Sequence, residues 1–554
     1  MNKHPRISNL LALLLMMNFM LFSITISIKA DESFNIHNTT EHPEIFQELS
    51  EISPGDIINT SFSDRHPSLG KPVGIKITVK GNPAGQRFEE TLEISDEYEG
   101  LIFGSGYVEW KSGKVTIGQV VFNIGNSPIY TKKISWYPVI VGNHTLKFKM
   151  GSSIEKIENI SVDFDIQNVI YPSLGCPEIV DKNSSKLVVA VSERRHLFEP
   201  PISIQNVELD SVDGSATYII FNETTVLSKW VNVGKDTVEE ELVVSYNVSS
   251  VPSGFYNISV TTMHNTYCWP HALKIIDNEA KEYTFVQITD PHIGKLYNSI
   301  NEKKQLENRI QYINDKIKPE FVILSGDSVD WSNVRSGHNF WMDLQEVLLK
   351  CNSPVFTVPG NHERYTNGLR LFYMPFTNLS YYSRFLNPLN NYAFEYGDIQ
   401  FILLDSGYDW SRWDLTPEAS GLTNTQMYLL KDEWGNNKTK QVIVMHHPAV
   451  NKRDDRGLFY VPDYLPSGND QCISFNRMEF IDYCTENNVT LVLSGHTHKN
   501  AVFDPDGNEP PPSYKGPLFI QTDSATLDKS HAGGRIITVI NGTIQSYDYS
   551  IMLC

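Results

Sequence analysis

Positive charge is what this sequence has least of. Lysine and arginine total 46 against 65 aspartates and glutamates, a formal net charge of -19. That leaves no electrostatic footprint for nucleic acid and argues against polyanionic partners in general, although a metal site reverses the sign locally. Long apolar runs are missing after residue 30, so no second membrane span is expected. Helical periodicity is absent from residues 31–279. Cysteine is sparse, with six in 554 residues. What is present suits folded domains rather than disorder: 40% hydrophobic and 20% charged residues. At about 150 residues per domain, the length suggests roughly three.

The one apolar run stands at the start. Lys3 and Arg6 precede Leu10 to Ile28, and Ala30 leads into Asp31-Glu32-Ser33. This reads as a secretory signal peptide over residues 1–30. The run approaches the ~20 residues that span a bilayer. An uncleaved N-terminal anchor is therefore the alternative, and the one membrane contact expected. Asn-x-Ser/Thr sequons at Asn38, Asn59, Asn143, Asn159, Asn183, Asn222, Asn247, Asn257, Asn378, Asn437, Asn488 and Asn541 agree with export, which is what makes them usable. An even cysteine count in an exported chain permits disulfides. Cys472 with Cys484 and Cys176 with Cys268 are the expected pairs, with buried thiols the alternative. The expectation is a secreted or cell-surface glycoprotein.

Residues 31–279 alternate in short runs such as Val73-Gly74-Ile75-Lys76-Ile77-Thr78-Val79 and Thr145-Leu146-Lys147-Phe148-Lys149. Turn residues such as Gly142-Asn143 and Ser253-Gly254 separate them. This pattern predicts two β-sandwich domains, 31–170 and 171–279, similar to immunoglobulin-like modules. That likeness is architectural and carries no function. A charged linker follows at 277–282. From 280 to 554 strands alternate with helical stretches near 301–317 and 337–350, which predicts a layered α/β domain. Asn541-Gly542 predicts a closing hairpin.

Strands in this last region end in metal-capable groups. The ends read Asp290-Pro291-His292, Gly326-Asp327-Ser328-Val329-Asp330, Gly360-Asn361-His362-Glu363, His446-His447-Pro448 and Gly495-His496-Thr497-His498. Ligands of α/β folds gather at the carboxyl ends of strands. Gly326, Gly360 and Gly495 are expected to let the chain turn sharply there. Carboxylate, amide and imidazole suit Mn, Fe, Zn or Mg ions, and the lack of thiolates argues against a structural zinc site.

These five blocks, in this order, resemble the calcineurin-like metallophosphoesterase pattern D-x-H, G-D-x-x-D, G-N-H-E, His before Pro, and G-H-x-H. The resemblance covers residues 283–550 and implies an α/β/β/α sandwich that holds two divalent metal ions. Carried over by position, Asp290, His292 and His498 would bind one ion, Asn361, His446 and His496 the other, and Asp327 would bridge them. It implies hydrolysis of a phosphoester by a metal-bridging hydroxide, with His362 as acid and Asp330 as the carboxylate that pairs with it and raises its pKa. Glu363 and Asp405 read as supports. His447 is expected to line the pocket or pack there, with direct metal contact the alternative, and Arg364, His447 and Tyr365 are candidates to contact substrate.

Departures narrow the class. Purple acid phosphatases need a glycine and a tyrosine where this chain has His292 and Asp330, so that reading is rejected. Exported nucleotidases of the superfamily carry the catalytic domain first, and acid sphingomyelinases carry a saposin-type domain that is absent here. The D-x-H start and His-His-Pro block look most like the phosphodiesterase branch, with a small-molecule or lipid phosphoester as substrate. A phosphomonoesterase is the first alternative, and a surface binding protein with a retired site is the second. A retired site usually loses a ligand, and this sequence has all seven.

Overall fold

The computed structural model describes residues 53–83, 85–104, 107–151, 154–221, 223–295, 301–330, 337–364, 379–407, 421–435, 439–452, 471–526 and 532–552. The leader or anchor expected at 1–30 lies outside them. No helix among the described residues is long and apolar enough to cross a membrane.

Alternation of apolar side chains builds the C-terminal region. Strands Val355–Val358, Phe321–Ser325, Glu282–Ile288, Gly534–Ile540 and Thr543–Ser550 form one sheet in that order. Strands Tyr392–Tyr396, Ile399–Leu404, Lys440–Met445, Val489–Ser494, Leu518–Gln521 and Ala501–Phe503 form a second. In a strand, successive side chains face opposite ways. Phe321 and Ile323 therefore meet Phe401, Leu403, Val442 and Val444 in a core between the two sheets. Val322 and Leu324 point the other way, onto Leu306, Ile310, Trp341 and Leu344 of helices Glu302–Tyr312 and Gly337–Leu348. On the far side Ile402, Leu404, Ile443 and Met445 pack on Met427, Leu430, Phe480 and Ile481. Read through the layers, the order is helix, sheet, sheet, helix.

The hairpin at Asn541-Gly542 forms as expected. Both residues have positive φ, 48° and 64°, and Ile540 faces Thr543 across it.

The N-terminal half is strand-rich. A three-stranded and a four-stranded antiparallel sheet share a core in which Val73, Ile75, Ile77 and Val79 meet Ile94, Phe122, Leu146 and Phe148. A further four-stranded and five-stranded sheet meet through residues such as Val189, Val191, Val207, Leu209, Ile258 and Val260. Gly142-Asn143 is not a turn. It lies within strand Val141–Met150, and Gly142, at φ 142°, faces Gly100 where a Cβ would stand 2.2 Å from Glu99 O. The boundary expected near 170 falls inside strand Asn168–Tyr171, which pairs with Lys186–His196. The stretch expected to be a linker is pinned to the C-terminal region. Glu279 accepts from Gly397 N at 3.0 Å, and Lys281 O accepts from Asn541 N at 2.7 Å.

No disulfide forms among the described residues, so neither expected cysteine pair exists. Cys268 sits on an exposed strand face and accepts from Ser259 Oγ at 3.2 Å, whereas Cys176 is buried in the core between the halves. Cys472 and Cys484 are both fully buried, with Cys484 in the outer helical layer. The alternative of buried thiols fits all of them except Cys268.

Candidate metal centre

Parallel strands bring the candidate residues to one edge. Glu282–Ile288, Phe321–Ser325 and Val355–Val358 run parallel, as do Lys440–Met445 and Val489–Ser494. The loops that follow them hold Asp290, Asp327, Asn361, His446 and His496.

The backbone there is strained. Asp290, His292, Asp327, His496 and His498 all have φ between 45° and 65°, a region L-residues with side chains rarely adopt, at a cost of about 1–3 kcal/mol each. Such outliers persist where the surroundings over-determine them, and they gather at functional sites. Of the three glycines, Gly326 alone turns with positive φ, at 89°. Gly360 and Gly495 serve close approach instead. A Cβ on Gly360 would lie 2.3 Å from Asp327 Oδ1, and one on Gly495 would lie 2.4 Å from Asp290 Oδ2.

Four overlapping groups place their ligand atoms within 4.8 Å of one another: Asp290-His292-His498, Asp290-Asp327-His446, His292-Asp327-His362 and His446-His447-His496. Asp290, His292, Asp327 and His446 link them, each shared by two of the groups. His446 Nε2 stands 3.2 Å from Asp327 Oδ2, and His498 Nε2 stands 3.2 Å from Asp290 Oδ1. The Nε2 atoms of His447 and His496 are buried with no hydrogen-bond partner. Buried polar atoms are nearly always paired. Two unpaired imidazole nitrogens beside paired carboxylates are the donor set a divalent cation takes.

Partners outside this set hold its members. Asp290 Oδ2 accepts from Thr289 Oγ1 at 2.7 Å and His496 N at 2.9 Å, and Asp290 O accepts from Ser524 Oγ at 2.7 Å. Ser325 O fixes His446 Nδ1 at 2.8 Å, which leaves Nε2 turned to the centre. Ser406 Oγ lies 3.1 Å from His447 Nδ1. Glu363 is fully buried, and its carboxylate accepts the N–H groups of Asp327 (3.1 Å), Ser328 (2.6 Å) and Gly360 (2.6 Å). It thereby ties two ligand-bearing turns together.

Burial opposes ionisation of Asp290 and Asp327, yet the facing histidines hold both well below the usual carboxylate range. Burial likewise opposes the imidazolium of His446, but Asp327 and Asp290 lift it to about 10. His292 is lifted against burial to about 9, chiefly by Asp290 and Asp330. Burial takes His496 down to about 3 and His447 well below its usual value.

His362 differs from expectation. Its Nδ1 bonds the main-chain carbonyl of Asp330 at 2.7 Å, while the Asp330 carboxylate lies nearer His292, at 3.2 Å against 3.5 Å. A carbonyl only accepts, so Nδ1 carries the hydrogen and Nε2 faces Asp327, 3.7 Å away. Burial outweighs the nearby carboxylates and pulls His362 down to about 4, not up.

Arg364 is also placed differently from a substrate contact. It is 2% exposed, and its guanidinium is bonded to Asp405, to Gly360 O at 3.1 Å and to the Tyr137 hydroxyl at 3.1 Å. Removing Asp405 alone would strand a buried charge, at about 3–5 kcal/mol. Asn361 is buried beside Gly360 in the same loop. Tyr365 lies outside the described residues.

Sequence reasoning missed Ser524, Ser406 and Tyr137. Ser524 was within reach, because Leu518-Phe519-Ile520 is a short apolar run ending in polar residues like the other strands. Tyr137 gives no local signal.

The family model described as calcineurin-like phosphoesterase matches residues 283–500. A protein of Helicobacter pylori strain J99 described as an uncharacterized metallophosphoesterase is 25% identical over 228 residues, which is 41% of this chain and 48% of the relative. The chain thus spans about half the length of that curated relative. Solved structures give red sea bream transglutaminase (11% identity, 43% of this chain, 33% of that one, TM-score 0.14). They also give the collagen adhesin of S. aureus (8%, 40%, 93%, 0.13). A third is the sporulation control protein Spo0M of Bacillus subtilis (10%, 38%, 80%, 0.15). TM-scores this low carry no argument. Family match and site residues coincide: residues 283–500, which match the calcineurin-like phosphoesterase model, hold all the clustered aspartates and histidines.

Proposed function

We propose that this chain is an exported phosphoesterase that takes two divalent ions, Mn, Fe, Zn or Mg, and prefers phosphodiesters. The observation that carries the reading is the set of four overlapping triads joined through Asp290, His292, Asp327 and His446. Asp290, His292 and His498 would hold one ion, Asn361, His446 and His496 the other, with Asp327 between them. Ions bound there supply Lewis acidity toward a phosphoryl oxygen and acidify water.

The chain's own residues orient and protonate. His362 Nε2 is the ring nitrogen placed to give a proton to the leaving oxygen. Because burial disfavours its charged form, that role depends on negative charge arriving with the substrate. Asp330 holds His292 and, through its carbonyl, His362. Glu363 keeps the Asp327 and Gly360 turns in register. His447 offers Nε2 to the centre, as a third imidazole beside His446 and His496.

Diester preference rests on the D-x-H and His-His-Pro blocks. Export rests on the N-terminal apolar run and on sequons that stand exposed at Asn59, Asn143, Asn159, Asn183, Asn247, Asn488 and Asn541. The cysteines add nothing to it.

The test strips the protein of metal, reloads it with each ion and compares bis-p-nitrophenyl phosphate with p-nitrophenyl phosphate. Metal-dependent cleavage of the diester supports the proposal. Cleavage of the monoester alone makes it a phosphomonoesterase, and no turnover by folded, metal-loaded protein makes it a binding protein.

A further inference from the structure

The segment from Thr357 to Arg364 carries Asn361 and His362, and residues from the N-terminal half hold both its ends. At one end Gly175 O accepts from Thr357 N (2.8 Å), Thr357 Oγ1 (3.2 Å) and Tyr392 OH (3.1 Å), while Gly175 N donates to Leu386 O (2.8 Å). At the other end Arg364 Nε donates to the Tyr137 hydroxyl at 3.1 Å. The same guanidinium donates to Gly360 O at 3.1 Å and to Asp405. Asp405 is held in turn by Asn390 Nδ2 and Gly407 N, each at 3.0 Å.

Tyr137 sits between strands Ile129–Trp136 and Val141–Met150. It is 4% exposed and packs in one core with Ile402, Leu404 and Met445, on the strands that lead to Asp405 and His446. Every donor and acceptor of this relay is buried, so water cannot replace a lost partner.

We infer that the N-terminal strand-rich half is part of the framework of the metal centre, with Tyr137 and Gly175 as positioning residues that clamp Gly360-Asn361-His362 against Asp327. The clamp itself is independent of the phosphoesterase reading, and what it positions rests on that reading. Tyr137 acts through Arg364, whose guanidinium spans from the Tyr137 hydroxyl to Gly360 O. If Arg364 lost its Nε partner it would turn, and Gly360 O would lose its anchor. Misplacement by about 1 Å at a reacting group can cost about a hundredfold in rate.

The experiment uses the full chain and three variants. Tyr137→Phe removes only the hydroxyl. Gly175→Ala puts a Cβ 2.4 Å from Thr357 Oγ1 and serves if the first variant does not fold. Lys111→Ala breaks the Lys111–Glu433 pair (2.6 Å), a contact between the two halves away from this loop, and controls for general loosening. Hydrogen exchange is read in metal-free protein at the amides of Gly360, His362 and Arg364, which donate to Glu363 Oε2, Asp327 Oδ1 and Asn361 O.

Both clamp variants should speed exchange at these amides by about tenfold or more, while Lys111→Ala leaves them unchanged. In the active protein, Tyr137→Phe should lower kcat about tenfold at nearly constant KM, and Lys111→Ala should not. Wild-type exchange at these amides in Tyr137→Phe and Gly175→Ala would overturn the clamp. Faster exchange with unchanged kcat would overturn its positioning role. An inactive wild type would defeat the phosphoesterase reading, and the exchange data would still decide the clamp.

Discussion

Loading this centre with metal must expel protons, and the histidines set how many. His446 and His292, lifted by facing carboxylates to about 10 and about 9 against burial, are imidazolium at pH 7.5 in metal-free protein. His362 and His496, lowered by burial to about 4 and about 3, are neutral there, as is His447. A metal takes the neutral ring, so binding must remove the two extra protons. About two protons per chain should therefore leave on saturation with Mn(II) at pH 7.5. Titration calorimetry in two buffers of different ionisation enthalpy counts them. Each proton is worth tenfold per pH unit, so overall affinity for metal should rise about a hundredfold per unit until pH nears 9. Stability of the metal-free protein runs the other way. Groups raised above their unfolded value of 6.5 stabilise fully below it, and that contribution is lost as pH rises through about 9 and about 10. Release of fewer than one proton, or an affinity flat between pH 6.5 and 8.5, would refute the arrangement of charges described here.

Three further outcomes are expected. Gly360→Ala drives a Cβ to 2.3 Å from Asp327 Oδ1 and 2.8 Å from His446 Cδ2. It should cost about 1–3 kcal/mol and weaken Mn(II) binding, and a wild-type melting curve and titration would contradict this. His362→Ala should slow an alkyl phosphodiester by about 10²–10⁴ but a p-nitrophenyl ester much less, because that leaving group departs without a proton. Equal losses would remove the acid role. Unfolded, unreduced protein should show at least the five described cysteines as thiols by thiol titration, and a lower count would mean that disulfides form after all.

Much of the site was legible because its signal is local. Each metal-capable block follows a short run of fully buried residues, such as Phe321-Val322-Ile323-Leu324 before Gly326-Asp327. Such runs mark strands covered on both faces, and strand ends are where α/β folds place ligands. The hairpin at Asn541-Gly542 was legible for a similar reason, since positive φ at two successive residues demands that chemistry. What failed was non-local. Gly142 reads as a turn in sequence, but its reason lies across the sheet at Glu99 and Gly100. The protonation of His362 depends first on its burial, which outweighs the carboxylates around it, and spacing alone does not show burial. Arg364 looks like a substrate contact until Tyr137, 227 residues away, takes its Nε–H. Short helices such as Ser380–Phe385 and Asn424–Tyr428 lack the two turns needed to show a period.

The most direct test of the central claim is the magnetic state of manganese bound by the full chain. If Asp327 joins two ion positions about 3.5–4 Å apart, Mn(II)-loaded protein should give an exchange-coupled spectrum at two ions per chain. Asp327→Ala should lose both the coupling and diester hydrolysis. A single uncoupled Mn(II) per chain in the wild type, or turnover that survives in Asp327→Ala, would contradict the account.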